Sequence, residues 1–169
     1  TGTIQAFKQI SVGAQVSGQI KSLKVKLGDR VKAGQLIAEI DSLSQQNALR
    51  NAEAALQNTQ AQLHARQATL KQAELAFKRA EKLLTQEAGS RESFETADAS
   101  LNSTRAEIEA LNAQIAQGRI SVDTAKLNLG YTRITAPMDG TVVALITQEG
   151  QTVNANQSTP TIIKLARMD

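Results

Sequence analysis

The sequence has no cysteine and very few aromatic residues, and both shortages exclude whole classes of protein. Its 169 residues include three Phe, one Tyr and no Trp, so any core must be built from aliphatic side chains and alanine. Without cysteine there is no thiol nucleophile, disulfide or Cys-ligated zinc. His64 is the only histidine, so the sequence has too few histidines for a His-rich metal site and a single candidate for a Ser-His-Asp triad. We therefore expect no enzyme, no catalytic residue, no metal and no cofactor.

Charge and hydropathy exclude two further features. The net charge is only +3, and acidic and basic residues are interspersed along the chain. A nucleic-acid-binding protein would instead be expected to carry a concentrated positive charge. No apolar run approaches the roughly 18 residues that a membrane-spanning helix needs. Because the chain opens abruptly in mid-pattern at Thr1, we expect it to be a fragment of a longer protein.

Glycine and proline divide the chain into three parts. Both prolines and eight of the ten glycines lie outside residues 42–129, a stretch rich in the strong helix formers Ala, Gln, Leu, Glu and Lys. The flanking segments, 9–41 and 130–165, are rich in Val, Ile and Thr with Gly at turn spacing. That composition predicts short β-strands on both sides of a long helical segment.

The helical segment carries a seven-residue apolar repeat, which is typical of a coiled coil. The repeat has two series: Leu49, Leu56, Leu63, Leu70, Phe77 and Leu84, then Phe94, Leu101, Ile108, Ile115, Val122 and Leu129. Three residues after most of these stands a small residue, which lets two helices approach closely. The series are mirror images about Gly89, which pairs Leu56 with Val122. We therefore predict an antiparallel hairpin with arms of about 44 residues, each roughly 65 Å long.

Helix-capping signals lie at both ends of the predicted hairpin. Gly89 suits the left-handed residue just beyond a helix, and Ser90 can cap the second helix, so the tip is expected near residues 86–91. Ser42, with Gln45 three residues later, has the pattern of a capping box at the start of the first helix.

The two β-rich flanks are copies of one motif. A shift of 122 residues places Gly18 on Gly140 and Gly28 on Gly150. Neither copy can hold a core alone, but the two can pair into a small β-sandwich. The predicted fold class is therefore α+β, with a long antiparallel coiled-coil hairpin inserted in a split β-sandwich.

The β-rich halves resemble those of a lipoyl or biotinyl carrier domain. The resemblance is carried by residues 18–20, 25–36 and 136–142, which read GQI, VKLGDRVKAGQL and APMDGTV. In carriers the halves meet in a tight turn that bears the modified lysine. Here the hairpin replaces that turn, and residues 36–41 offer no lysine. A carrier domain is therefore an alternative that lacks its attachment point.

A lipoyl-like domain split by a helical hairpin resembles the periplasmic adaptor (membrane fusion) proteins of tripartite efflux pumps. These adaptors carry an Arg, a Leu four residues later and a Ser seven beyond that, and Arg79, Leu83 and Ser90 have this spacing at the predicted turn. Residues 12–19, 123–129, 131–134 and 150–153 are similar to those of macrolide-efflux adaptors in particular. The resemblance covers essentially the whole chain.

The resemblance implies a non-enzymatic adaptor in the periplasm of a Gram-negative bacterium, anchored to the inner membrane in the full-length protein. Six copies, a hexamer, would link a MacB-like ABC transporter to a TolC-like outer-membrane channel. Arg79, Leu83 and Ser90 would form the channel-docking tip, and Gln157 would line a ring facing the lumen. Residues 1–8 would be a remnant of a β-barrel strand, and 166–169 would begin the β-barrel.

Two further alternatives share the predicted fold. An adaptor of a type I protein-secretion system is one, although its hairpin tends to be longer. A structural coiled-coil module without a channel partner is the other. The exposure of Leu83 bears on the choice between a docking adaptor and a structural module. Because Leu83 stands one position before the core residue Leu84, its side chain should be partly exposed. His64, which follows the core residue Leu63, is expected on the surface.

Overall fold

In the part of the chain that the structure describes, eight short strands flank two long helices. The computed structural model describes residues 8–156 and 159–167. The elements are β1 (Lys8–Gly13), β2 (Gly18–Leu23), β3 (Arg30–Val31), β4 (Leu36–Ile40), α1 (Leu43–Thr85), α2 (Arg91–Gly130), β5 (Arg133–Thr135), β6 (Gly140–Leu145), β7 (Thr152–Val153) and β8 (Thr161–Arg167). They form two compact units. The β unit contains the chain up to Leu49 and from Thr124 onward, and the hairpin unit contains Arg50–Asp123.

The β unit consists of two four-stranded sheets of the same internal order. One sheet runs β1-β8-β6-β3 and the other runs β5-β4-β2-β7. The predicted shift of 122 residues carries β2 onto β6 and β3 onto β7. It also relates two hydrogen bonds, since Ile20 N–H donates to the Gln151 carbonyl and Val142 N–H donates to the Asp29 carbonyl, both at 2.9 Å. The predicted repeat and the split β-sandwich are therefore confirmed.

Aliphatic side chains from both sheets fill the core of the sandwich. The largest fully buried side chains are Ile20, Ile37, Ile40, Val142, Ile162, Ile163 and Leu165. Gly140 lies against this core, because a Cβ atom there would stand 2.9 Å from the Ala166 carbonyl oxygen. Within the described residues, no aromatic side chain belongs to this core, in agreement with the composition.

The predicted limits of the sandwich can be compared with its outer strands. Lys8 pairs with Arg167 and Gln9 with Ala166, so these residues extend the β1–β8 ladder. Residues 1–7 and 168–169, which belong to the predicted barrel segments, lie outside the described residues. The division of the chain into sandwich and barrel stays a prediction.

The chain enters and leaves the hairpin between two neighbouring strands. Ile40 N–H donates to the Thr132 carbonyl at 2.8 Å, and β4 pairs with β5. The predicted capping box at the start of α1 is wrong. Leu43 N–H donates to the Asp41 carboxylate at 3.2 Å, and the Ser42 hydroxyl accepts from the side chain of Gln46. Asp41 supplies a better acceptor because its carboxylate is charged.

The heptad residues form the seam between α1 and α2. Every residue of the two predicted series is buried or partly buried. Leu56 packs against Gly118, where a Cβ would be 3.1 Å from the Leu56 side chain. Leu56 and Gly118 are equidistant from Glu87, not from Gly89, so the predicted centre of symmetry is wrong by two residues. A core residue faces the small position of the partner helix, because wide against small fills the space between them.

We predict that Gly140→Ala destabilises the β unit by about 1–3 kcal/mol, because the added methyl group meets backbone that cannot move aside cheaply. Urea unfolding followed by circular dichroism measures the effect. Gly130→Ala is the matched control, since a Cβ at Gly130 has no neighbour within 4 Å. An equal loss of stability in both variants would contradict the prediction.

Candidate functional site at the hairpin tip

A Schellman motif ends α1 and begins the turn at the tip. Ala88 N–H donates to the Leu83 carbonyl at 2.8 Å, and Glu87 N–H donates to the Leu84 carbonyl at 3.1 Å. Glu87 takes the left-handed conformation, with φ of 57°. The expectation that Gly89 is the left-handed residue is therefore wrong. A side chain at this position is unusual and stores backbone strain at the tip.

Gly89 serves the turn in a different way. Its N–H donates to the Leu83 carbonyl at 3.1 Å, so that carbonyl accepts two hydrogen bonds from the turn. A Cβ atom at Gly89 would lie 3.0 Å from the Cβ of Leu83. The absence of a side chain at Gly89 therefore lets the turn close directly over Leu83.

Ser90 caps α2, as predicted. Its hydroxyl accepts from Ser93 N–H at 3.0 Å and donates to the Ser93 hydroxyl at 2.8 Å. This satisfies one of the N–H groups that the first turn of a helix leaves free. The hydroxyl therefore has a structural role that is independent of any partner.

The other two predicted tip residues, Arg79 and Leu83, offer contacts to a partner. Leu83 is 39% exposed although the turn holds its backbone, so the side chain is presented in a restrained position. Arg79 stands one helical turn earlier, is exposed, and takes part in no ion pair among the described residues. Beneath them the rings of Phe77 and Phe94 pack 5.3 Å apart, which supports the end of the coiled coil.

Gln157, the predicted lumen residue, lies outside the described residues. The segment before it is anchored to the β unit by Ser17, whose hydroxyl accepts from Ala155 N–H at 2.9 Å. His64 is exposed, as expected for a surface residue.

The sequence patterns did not reveal a polar contact halfway along the hairpin. Arg66 takes the place of a small residue in the heptad pattern, and its Nε lies 3.0 Å from Oε2 of Glu107 on the other helix. Both side chains are about half exposed, so the pair adds little stability. Arg66 stands at a heptad position that is mostly occupied by small residues, and this exception could have indicated the contact from the sequence.

The described residues contain no cluster of three or more His, Asp or Glu side chains that could hold a metal ion. Of the helices in residues 8–156 and 159–167, none has the length and apolarity to cross a membrane.

Comparison with known proteins places this fold in a family. A family model described as RND MFP, barrel-sandwich hybrid domain, matches residues 8–165. The chain belongs to this family of membrane fusion proteins.

Several of the similar proteins are named as export proteins. The macrolide export protein MacA of Escherichia coli is 42% identical over 168 residues, which is 99% of this chain and 45% of the relative. The pyoverdine export membrane fusion protein PvdR of Pseudomonas putida is 46% identical over 99% of this chain and 43% of its own length. The crystal structure of MacA from Actinobacillus actinomycetemcomitans matches with a TM-score of 0.89 and 50% identity, over 96% of this chain and 49% of that one. The resemblance to efflux adaptors is thus confirmed, and the chain spans less than half of these relatives.

We predict that Glu87→Gly raises the free energy of unfolding by about 0.5–1 kcal/mol, because glycine adopts the left-handed conformation without steric cost. Chemical denaturation followed by helical circular dichroism measures the change. Glu87→Ala is the control, since alanine removes the carboxylate but keeps the Cβ atom. Equal stabilisation by alanine would show that charge, and not backbone strain, is the cause.

Proposed function

We propose that this chain is the core of a non-enzymatic periplasmic adaptor whose hairpin tip docks on a TolC-like outer-membrane channel. In the full-length protein, anchored to the inner membrane of a Gram-negative bacterium, it would link the channel to a MacB-like ABC transporter. The observation that carries the proposal is the tip itself, where Leu83 is 39% exposed on a backbone held by the turn and Arg79, one helical turn earlier, is also exposed. Two relatives are named as export proteins for macrolides and pyoverdine, and these names support the proposal.

The chemistry of the tip fits a docking contact. Two hydrogen bonds from the turn hold the Leu83 backbone, so the backbone has little conformational freedom left to lose when a partner covers the side chain. Arg79 offers a planar fork of donors that suits carboxylate or carbonyl acceptors at the mouth of a channel. Ser90 contributes by shaping the start of α2, since its hydroxyl is already engaged.

The family likeness also supports a ring of copies, which we propose to be a hexamer. Gln157 would then face the lumen, and residues 1–8 and 166–169 would lead into a β-barrel. Export of a macrolide or a similar compound is proposed for the whole protein, because the chain itself spans less than half of its named relatives.

A carrier function fits the fold less well. In place of a short turn bearing a lysine, Asp41 leads directly into the 43 residues of α1. Mass spectrometry of the protein from its native host is expected to find no lipoyl or biotinyl adduct.

The proposal predicts that Leu83→Asp and Arg79→Ala weaken binding to a TolC-like channel. Burying the new carboxylate of Leu83→Asp at a packed contact should lower affinity by about 30-fold or more. Surface plasmon resonance with the immobilised channel measures binding, and circular dichroism confirms that each variant stays helical.

Leu43→Asp is the matched control for this experiment. Leu43 is 64% exposed on the same helix, far from the tip along the chain, so the same change there should leave channel binding unaltered. If wild type and all variants bind alike, the tip is not the docking site. If the wild-type chain does not bind at all, the docking function is not carried by this part of the protein.

A further inference from the structure

The internal repeat of the β unit relates two connections that differ in length. The short connection, residues 32–35, joins β3 to β4, and the long connection, residues 154–160, joins β7 to β8. The shift of 122 residues carries β3 onto β7, but β4 falls on β8 only at a shift of 125, which carries Leu36 onto Thr161. The long connection therefore contains three residues more than its counterpart.

Burial and strand pairing support the shift of 125. The burial pattern along β4 is repeated by the first five residues of β8. Leu36 pairs with Thr135 in one sheet, and Thr161 pairs with Gly13 in the other. Thr135 and Gly13 are themselves related by the shift of 122. Because the strands on both sides correspond, the three extra residues belong to the long connection alone.

A side chain from the opposite half of the repeat holds each connection near its start. Ala33 N–H donates to Oδ1 of Asp139 at 2.6 Å, and Ala155 N–H donates to Oγ of Ser17 at 2.9 Å. The shift of 122 relates both members of the two pairs. Asp139 directly precedes β6, and Ser17 directly precedes β2. The two hydrogen bonds are thus one contact of the repeat, made once by a carboxylate and once by a hydroxyl.

The hydroxyl of Ser17 does more than the carboxylate of Asp139, because it can donate as well as accept. It donates to Oδ1 of Asn154 at 3.4 Å, and the same oxygen accepts from Asn156 N–H at 3.0 Å. Ser17 therefore connects the first three residues of the long connection to the start of β2.

The sandwich does not require the three extra residues, since the other half closes the same connection without them. Loops that exceed what a rigid scaffold needs commonly carry function. Gln157, proposed above to face the lumen, follows Asn156 directly in the chain and lies outside the described residues. A residue that lines a passage must take the same position in every copy, and a free seven-residue connection would sample many conformations.

We propose that Ser17 is a positioning residue for the long connection. Its hydroxyl fixes residues 154–156 and thereby sets where the residue that follows them stands in the ring of copies. The role in the ring rests on the proposed function of Gln157, whereas the fixing of residues 154–156 does not depend on it.

Amide hydrogen exchange of the full-length protein tests whether Ser17 fixes these residues. Ser17→Ala removes the acceptor of Ala155 N–H, so exchange in residues 154–156 should become about five-fold faster at short labelling times. Ser17→Thr keeps a hydroxyl at this position and should restore the slower exchange. Mass spectrometry of proteolytic peptides measures the rates.

Asp139→Ala is the matched control, because it removes the equivalent hydrogen bond from the other half of the repeat. It should accelerate exchange in residues 32–35 and leave residues 154–156 unchanged. Faster exchange of both connections in Ser17→Ala would show a general loosening of the β unit and would overturn the inference.

Distances between copies test the role in the ring. A spin label is attached at Gln157→Cys in the full-length protein, and pulsed electron paramagnetic resonance measures the distances between labels. The 169 residues contain no other cysteine to label. The distance distribution should be narrow with the native Ser17, with Ser17→Thr and with Asp139→Ala. It should be broader with Ser17→Ala.

The outcomes separate this inference from the proposed function. Exchange that stays slow in Ser17→Ala, or a distribution that stays narrow, overturns the role of Ser17 and leaves the ring intact. If no variant gives a distance between copies, the proposed ring is rejected, and the role of Ser17 in it falls with it. Channel binding by the same variants should be unaltered, since Ser17 belongs to the β unit and not to the hairpin tip.

Discussion

The hydrogen bond from Ile40 N–H to the Thr132 carbonyl joins the two points of the β unit between which the two helices are inserted. Bringing together two points some ninety residues apart would cost conformational entropy if the intervening chain were flexible. Two helices of 43 and 40 residues, paired along a continuous seam, remove that freedom and bring the chain back. The halves of the sandwich can then share one core, although neither could hold a core alone.

The coiled coil constrains the volume of the side chains on the face of each helix that packs in the seam. It places no such constraint on the opposite face. At the seam, Leu56 against Gly118 shows wide packed against small, and almost any change of volume there would be felt. Outside the seam no such constraint holds, and each helix carries exposed charges of both signs, such as Glu53 and Arg79 on α1 and Glu109 and Arg119 on α2.

The tip combines a strained turn with two exposed side chains. Glu87 takes a conformation that glycine would adopt at lower cost, while Gly89 is required by its close approach to Leu83. Strain of this kind persists where the surrounding hydrogen bonds over-determine the backbone. The turn thus fixes the backbone that carries Leu83, one helical turn after the exposed Arg79.

The sequence by itself determined the helical hairpin, the repeated β halves, the Ser90 cap and the partial exposure of Leu83, because periodicity and composition specify which face of an element is apolar. Only the tertiary structure decided that the hairpin is centred on Glu87, that Asp41 and not Ser42 accepts from the first helical N–H, and that Arg66 meets Glu107. A heptad pattern leaves open which residues face each other across the seam. That choice depends on how wide and small side chains interdigitate and on the geometry of the turn, and both exist only once the two helices have packed.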